Sequence, residues 1–175
     1  MKSFDFSLFA VFVLLSFGTA NIALADVVAK VNPTLEAKLV GFKITQNPQN
    51  KEVLSPADKV LPGDLLKYQV TYQNNGKSLL KQLIATLPLP VGTTYVAGSA
   101  NPSNVTASLD GKDFAEMPLK RMVKRSDGKL EAQLVPLLEY RALRWQLGEL
   151  AEKNKVEVSA RARVNQATVT TVAVK

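Results

Sequence analysis

An alternation of apolar and polar side chains runs through the stretch Leu66-Lys67-Tyr68-Gln69-Val70-Thr71-Tyr72-Gln73. Successive side chains of a β-strand point to opposite faces, so this period of two predicts a strand with one buried face. The leucine, the valine and the two tyrosines would face the core. Asn74-Asn75-Gly76 follows directly, and these residue types favour a tight turn. The stretch therefore indicates a β protein.

Two further segments carry the same pattern. From Lys155 to Val164, the valines and alanines at even-numbered positions predict an inward face. Leu143, Trp145 and Leu147 form another inward row, which we expect to end in a turn at Gly148. Each segment places apolar side chains on one side of a strand, as a sheet that covers a core requires.

Turn signals divide the rest of the chain into short strands. A strand from Leu79 to Leu87 should stop at the prolines that follow, and Asp110-Gly111 and Asp127-Gly128 each predict a hairpin. Leu35 to Ile44 also looks extended, but its alternation slips near Gly41, which predicts a bulge. Strands at this spacing, with no helical period between them, favour an antiparallel β-sandwich.

The first residues predict export. Lys2 precedes an uncharged, apolar run from Ser7 to Gly18, and Ala23-Leu24-Ala25 is a signal-peptidase site with cleavage before Asp26. The run is short for a bilayer span, which needs about 20 apolar residues. A cleavable signal peptide over residues 1–25 is thus the main prediction, and a retained N-terminal membrane anchor is the alternative. We expect the mature protein in the periplasm, or secreted to the extracellular space or cell surface.

Three blocks of the sequence resemble the DUF11 repeat domain. The first is the Pro62-Gly63-Asp64 turn with its strand and Asn74-Asn75-Gly76. The second is the segment Leu83-Ile84-Ala85-Thr86-Leu87-Pro88-Leu89-Pro90-Val91-Gly92-Thr93-Thr94-Tyr95-Val96-Ala97-Gly98-Ser99, and the third is Leu143-Arg144-Trp145-Gln146-Leu147-Gly148-Glu149-Leu150. The resemblance implies an immunoglobulin-like antiparallel β-sandwich of bacterial envelope and secreted proteins, used as a spacer or interaction module without conserved catalytic residues. We therefore divide the mature chain into N-terminal strands and loop (26–61), a sandwich core (62–164) and a C-terminal strand (165–175).

Composition argues against an enzyme. The 175 residues include no histidine and no cysteine, which excludes Ser-His-Asp and Cys-His catalysis and zinc sites built on these ligands. No glycine-rich phosphate loop and no EF-hand calcium loop is present. Two S-x-x-K matches, Ser78 to Lys81 and Ser126 to Lys129, lack the partner motifs of a β-lactamase. We expect no catalytic residue, no cofactor and no metal site.

The densest group of basic residues comprises Lys120, Arg121, Lys124, Arg125 and Lys129. With a net charge of +7, the chain favours acidic partners, and these five residues are the candidate contacts for an anionic polymer. On a strand, however, positions 120 and 124 face one way and 121 and 125 the other. The favoured interpretation is a solvated edge strand whose lysines and arginines prevent unwanted pairing.

The expected function is that of a non-enzymatic structural or protein-interaction module of the cell envelope or extracellular surface. Its partners would be envelope proteins or further copies of itself, with no specific nucleic acid and no transmembrane span after signal cleavage. Asp26 to Pro33 and Ala167 to Val174 contain β-formers, and either end could add a strand to a neighbour. They could equally be ordinary flanking strands. The alternative function is binding of an anionic glycan or other envelope polymer through a basic surface.

Overall fold

The computed structural model describes residues 34–166, together with the backbone of a two-residue strand at Phe4–Asp5. The regular secondary structure of the described part of the chain is almost entirely β. Its strands, in chain order, are β1 (Phe4–Asp5), β2 (Leu35–Gln46), β3 (Glu52–Pro56), β4 (Lys59–Val60), β5 (Leu65–Asn74), β6 (Leu80–Pro88), β7 (Thr93–Tyr95), β8 (Thr106–Ser108), β9 (Ala115–Glu116), β10 (Lys120–Lys124), β11 (Leu130–Leu134), β12 (Ala142–Leu150) and β13 (Lys155–Val164). A short 3-10 helix, Leu137–Glu139, precedes β12.

The larger sheet has five antiparallel strands in the order β3-β2-β5-β13-β7. Its centre is β5, and the predicted alternation is confirmed because Leu66, Tyr68, Val70 and Tyr72 are all buried. The partner strand β13 has the predicted bounds and runs beside β5 in unbroken register. The strongest sequence pattern thus lies at the middle of the sheet, where both neighbours are strands.

The smaller sheet has four antiparallel strands in the order β6-β12-β8-β9. Leu143 and Trp145 of β12 are fully buried, as predicted. The turn predicted at Gly148 is wrong, because β12 continues to Leu150. Gly148 instead lies at a register shift against β6 with a φ of 76°, a conformation that glycine adopts without steric cost.

One hydrophobic core joins the two sheets in a β-sandwich-like arrangement. Its buried side chains come from β5 and β13 on one side and from β6 and β12 on the other. The indole Nε1 of Trp145 donates a 2.6 Å hydrogen bond to the carbonyl of Pro102, so the polar edge of this buried ring is satisfied. Tyr95 and Tyr140 stack with ring centroids 6.0 Å apart. Both sheets therefore depend on the same set of packed side chains.

The bulge predicted near Gly41 is absent. Strand β2 pairs with β5 without a break from Leu35, opposite Asn74, to Ile44, opposite Leu65. The slip in the sequence pattern has another cause: the apolar side chains change faces along the strand. Leu39 shares the face of Val70, whereas Ile44 lies on the opposite face and is buried there. Gly41 lies opposite Tyr68, and a β-carbon at Gly41 would touch that tyrosine ring at 3.4 Å.

Two small two-stranded sheets complete the description, β1 with β4 and β10 with β11. The predicted signal peptide, its cleavage site and the segments Asp26 to Pro33 and Ala167 to Val174 lie outside the described residues, apart from the backbone of β1. In the described part of the chain, no helix has the length and apolar character needed to cross a membrane.

Candidate functional site

The five predicted basic residues lie on a hairpin formed by β10, β11 and the turn between them, residues 120–134, which we call the arm. Its base is fixed by Leu119 and Val135, which are buried and are joined by a 2.9 Å hydrogen bond from the Val135 N–H to the Leu119 carbonyl. The Leu119 N–H donates to the hydroxyl of Tyr140 at 2.8 Å. Beyond this base every arm residue is exposed except Val123, which is half-buried. The arm therefore stands away from the sandwich.

The arm has two unlike faces, because cross-strand partners share a face of a two-stranded ribbon. The face that we call the lysine face pairs Lys120 with Leu134, Met122 with Ala132, and Lys124 with Leu130. The opposite face, called the arginine face, pairs Arg121 with Gln133 and Val123 with Glu131. The prediction that positions 120 and 124 point away from 121 and 125 is thus confirmed.

Ion pairs occupy the arginine face. Arg121 makes a bidentate contact with Glu139 at 2.7 and 3.1 Å, and Arg125 lies 3.4 Å from a carboxylate oxygen of Glu131. Lys129 lies opposite Arg125, whose N–H donates to the Lys129 carbonyl at 2.8 Å. Among the described residues, Lys120, Lys124 and Lys129 are in no salt bridge. The five basic residues are therefore divided between two faces and do not form one electrostatic patch.

A second candidate surface is the outer side of the first half of β2. The Ala57 N–H donates to the Gly41 carbonyl on the β3 side, while Thr34 accepts a bond from Asn75 on the β5 side. Alternate residues of a strand direct their backbone groups to opposite sides. The N–H and C=O groups of Leu35, Ala37 and Leu39 therefore point away from β5. Strand β3 covers only Phe42 to Gln46. We call Leu35 to Val40 the open edge, since no strand of the described part of the chain pairs with its outer side.

The edge of the smaller sheet at β6 differs. The hydroxyl of Tyr72, from the other sheet, accepts a 3.1 Å hydrogen bond from the Thr86 N–H and lies 3.3 Å from the Thr86 carbonyl. Burial raises the pKa of Tyr72, so the hydroxyl stays protonated and able to donate. Gln82 has a φ of 55°, and Pro88 ends the strand without an N–H. These features interrupt the row of backbone groups that an added strand would need.

The outer face of the larger sheet holds a cleft of about 340 Å³. Arg161 of β13 reaches across it to Glu52 of β3 in a bidentate ion pair at 2.7 and 2.9 Å. Lys67 and Ser159 also line the cleft, and Ile44 forms part of its apolar wall. The cleft's one carboxylate and its guanidinium are therefore each other's partners. Residues 34–166 hold no cluster of carboxylates placed to bind a metal ion.

Sequence reasoning missed the apolar part of the arm and the open edge. Met122, Leu130 and Leu134 were visible beside the basic residues, but only the pairing of β10 with β11 places them on one face. The open edge depends on where β3 ends along β2, which no local pattern encodes.

Comparison with known proteins identifies no relative of this chain. No family model matches the chain, and neither curated proteins nor solved structures give a significant match.

Proposed function

We propose that this chain is an exported, non-enzymatic β-sandwich of immunoglobulin-like topology and a member of the DUF11 family. Its function is that of a structural or protein-interaction module of the cell envelope or extracellular surface. It joins a neighbouring protein by strand addition at the open edge. The observation that carries this proposal is the row of outward-pointing backbone groups at Leu35, Ala37 and Leu39.

The position of the first DUF11-like block supports a structural role. Pro62-Gly63-Asp64 forms the turn before β5, where the Gly63 N–H donates to the Val164 carbonyl at 2.9 Å. The Asp64 carboxylate accepts a 2.7 Å bond from the Leu61 N–H and lies 2.7 Å from the Lys43 ammonium. Burial alone would raise the pKa of Asp64, but these two contacts lower it overall. The residues of this block thus stabilise the turn before β5.

The open edge suits an added strand for two reasons. Three consecutive outward residues present N–H and C=O groups, and none of them is a proline. Leu39 is 39% exposed, so a strand laid beside β2 would also cover apolar surface. We propose the segment Asp26 to Pro33 of a second copy as the donor, because it contains β-forming residues and becomes an N-terminus on signal cleavage.

The experiment compares two substitutions at one edge position. Ala37→Pro removes an outward N–H, and an edge strand tolerates proline because its pairing with the inner neighbour is kept. Ala37→Ser keeps the N–H and serves as the control. We expect light scattering of concentrated protein to show assembly for the parent and for Ala37→Ser. Assembly should be lost for Ala37→Pro and for deletion of Asp26 to Pro33, with the circular dichroism of a β protein unchanged.

Two results would contradict strand addition. One is a parent protein that stays monomeric at high concentration, and the other is assembly by the proline variant equal to that of the serine control. In the second case the association would use another surface.

Binding of an anionic glycan or other envelope polymer through a basic surface is the second candidate function. It is favoured by the net charge of +7 and by Lys120, Lys124 and Lys129, which have no ion-pair partner among the described residues. Affinity for an acidic polysaccharide should then fall steeply with added salt and with lysine-to-glutamine changes at these positions. An affinity that is unchanged by added salt and by the lysine substitutions would contradict this function.

A further inference from the structure

The lysine face of the arm combines large exposed apolar side chains with charges of a single sign. Met122, Leu130 and Leu134 are 61%, 65% and 64% exposed. Lys120 and Lys124 lie between them on the same face. The acidic residues of the arm are elsewhere, since Glu131 is on the arginine face and Asp127 is in the turn. The surface is therefore apolar and purely cationic.

This combination restricts the chemistry of the partner. The single sign of charge requires an anionic partner. Exposed leucine and methionine gain free energy only if the partner also removes them from water. A soluble polyanion satisfies the first requirement and not the second. A second copy of this chain satisfies the first requirement poorly, because its net charge is +7.

The shape of the arm favours a lipid surface over a protein groove. The arm is a narrow ribbon exposed on both faces. It is attached to the body at its base and, close to the base, by the ion pair of Arg121 with Glu139, so it forms a projection. Interfacial segments bury an apolar face about 5–10 Å into the headgroup region of a bilayer. Lysines on such a segment extend along the apolar surface and place their ammonium groups among the lipid phosphates.

We propose that the lysine face of the arm docks on an anionic lipid bilayer, with Met122, Leu130 and Leu134 inserted at the interface and Lys120 and Lys124 on the headgroups. This docking goes beyond the proposed strand addition and is independent of it, because it uses none of the residues of the open edge. It shares Lys120 and Lys124 with the second candidate function, and the apolar side chains distinguish the two. A peripheral contact of this kind would hold the sandwich beside a membrane without any spanning segment.

The first test localises the contact. The chain contains no cysteine, so Met122→Cys and Gln133→Cys each accept one environment-sensitive fluorophore, on the lysine face and the arginine face respectively. The probes are vesicles of phosphatidylcholine with phosphatidylglycerol and vesicles of phosphatidylcholine alone. We expect a blue shift of the fluorophore at position 122 with the anionic vesicles, and little change at position 133.

The second test is a vesicle co-sedimentation assay. It shows whether binding depends on the net charge of the arm or on the face that carries the charge. Lys120→Gln with Lys124→Gln and Arg121→Gln with Arg125→Gln change the net charge equally but on opposite faces. The lysine pair should weaken binding roughly 30-fold, since each basic residue at an anionic bilayer contributes roughly fivefold. The arginine pair should weaken it much less. Leu130→Ser with Leu134→Ser should weaken binding by about tenfold or more, because the transfer of apolar surface is lost.

Each contrary outcome overturns the proposal. Equal fluorophore shifts at positions 122 and 133 would mean that no face is selected. Unchanged binding by the variant with Leu130→Ser and Leu134→Ser would mean that the lysines alone attract the vesicle, as they would attract a soluble polyanion. Failure to bind anionic vesicles at low ionic strength, with the β-sheet circular dichroism intact, would leave a protein as the partner of the arm.

Discussion

Trp145 illustrates what a single side chain contributes to this fold. It is fully buried between the two sheets, and its Nε1 donates to the Pro102 carbonyl at 2.6 Å.

Trp145→Ala should lower the free energy of unfolding by about 3–5 kcal/mol, because it removes the largest buried side chain and leaves a cavity. Urea unfolding followed by circular dichroism measures the change. Trp145→Phe, which keeps much of the volume but loses the hydrogen bond, should cost less. A loss below about 1 kcal/mol for the alanine variant would refute the packing described.

Asn74 does more than the turn-forming role that its sequence context predicts. It is fully buried, and its Nδ2 donates to the carbonyls of Ser78, Leu150 and Ala151 at 2.8, 3.0 and 3.1 Å. Its Oδ1 accepts from the Gly76 N–H at 3.0 Å. One amide thus joins the turn after β5 to the end of β12, a connection that spacing along the chain does not reveal.

Asn74→Asp is the sharpest test of this contact. The carboxylate would face three carbonyl oxygens, whereas Asn74→Ala only leaves those oxygens without a donor. We expect Asn74→Ala to lower the free energy of unfolding by about 1–3 kcal/mol and Asn74→Asp to lower it further at neutral pH. Burial raises the pKa of such a carboxyl, so the defect of the aspartate variant should shrink in mildly acidic solution. Equal stability of the two variants near neutral pH would contradict the contacts.

At the scale of elements, the loop between β8 and β9 is organised by one carboxylate. Asp110 Oδ1 accepts from the N–H groups of Lys112 and Asp113 at 2.8 and 3.0 Å and from the Ser108 hydroxyl at 2.8 Å. These bonds, the one from Lys112 foremost, lower the pKa of Asp110 from 3.8 to about 2. A hairpin that the sequence predicts from Asp110-Gly111 alone thus owes its geometry to a side chain that caps its own turn.

The pH dependence of this loop follows from that shift. Because the folded pKa lies below the unfolded one, the stabilisation is complete above the unfolded value of 3.8 and is lost as the pH falls towards about 2. NMR titration should show the amide shifts of Lys112 and Asp113 changing near the lower value. Ser108→Ala removes one donor and should move the midpoint upward. A parent midpoint close to 3.8 would show that the carboxylate does not accept these bonds.

Elements were predictable where one face of a strand meets the core and the other meets solvent. Strands β5, β12 and β13 satisfy this condition, and their inward residues were assigned correctly. It fails for β2, where Ile44 is buried on the outer face in the cleft that Leu54 and Arg161 also line, so the apolar pattern changes sides without a bulge. It also fails at Gly148, where a glycine marks a register shift inside a strand and not its end.

For the whole molecule, the sequence predicts the class of fold but neither the order of the strands nor the composition of the surfaces. The basic residues of the arm were assigned to the correct faces, because alternation along a strand is a local property. Their apolar neighbours and the open edge depend on which strands pair, and this is decided by tertiary packing. Export, family membership and the absence of catalysis stay predictions.

The closed base of the arm has a consequence for how such a protein can change. Leu119 and Val135 are hydrogen-bonded neighbours in the core, so the fifteen intervening residues begin and end at one point of the body. The entropy of closing a loop grows slowly with length, by about 0.6 kcal/mol for each doubling. A single insertion or deletion between these two residues can therefore add, lengthen or replace the appendage while the body folds as before. The segment between Leu119 and Val135 is therefore a site where one recognition element can be exchanged for another, in evolution or by grafting.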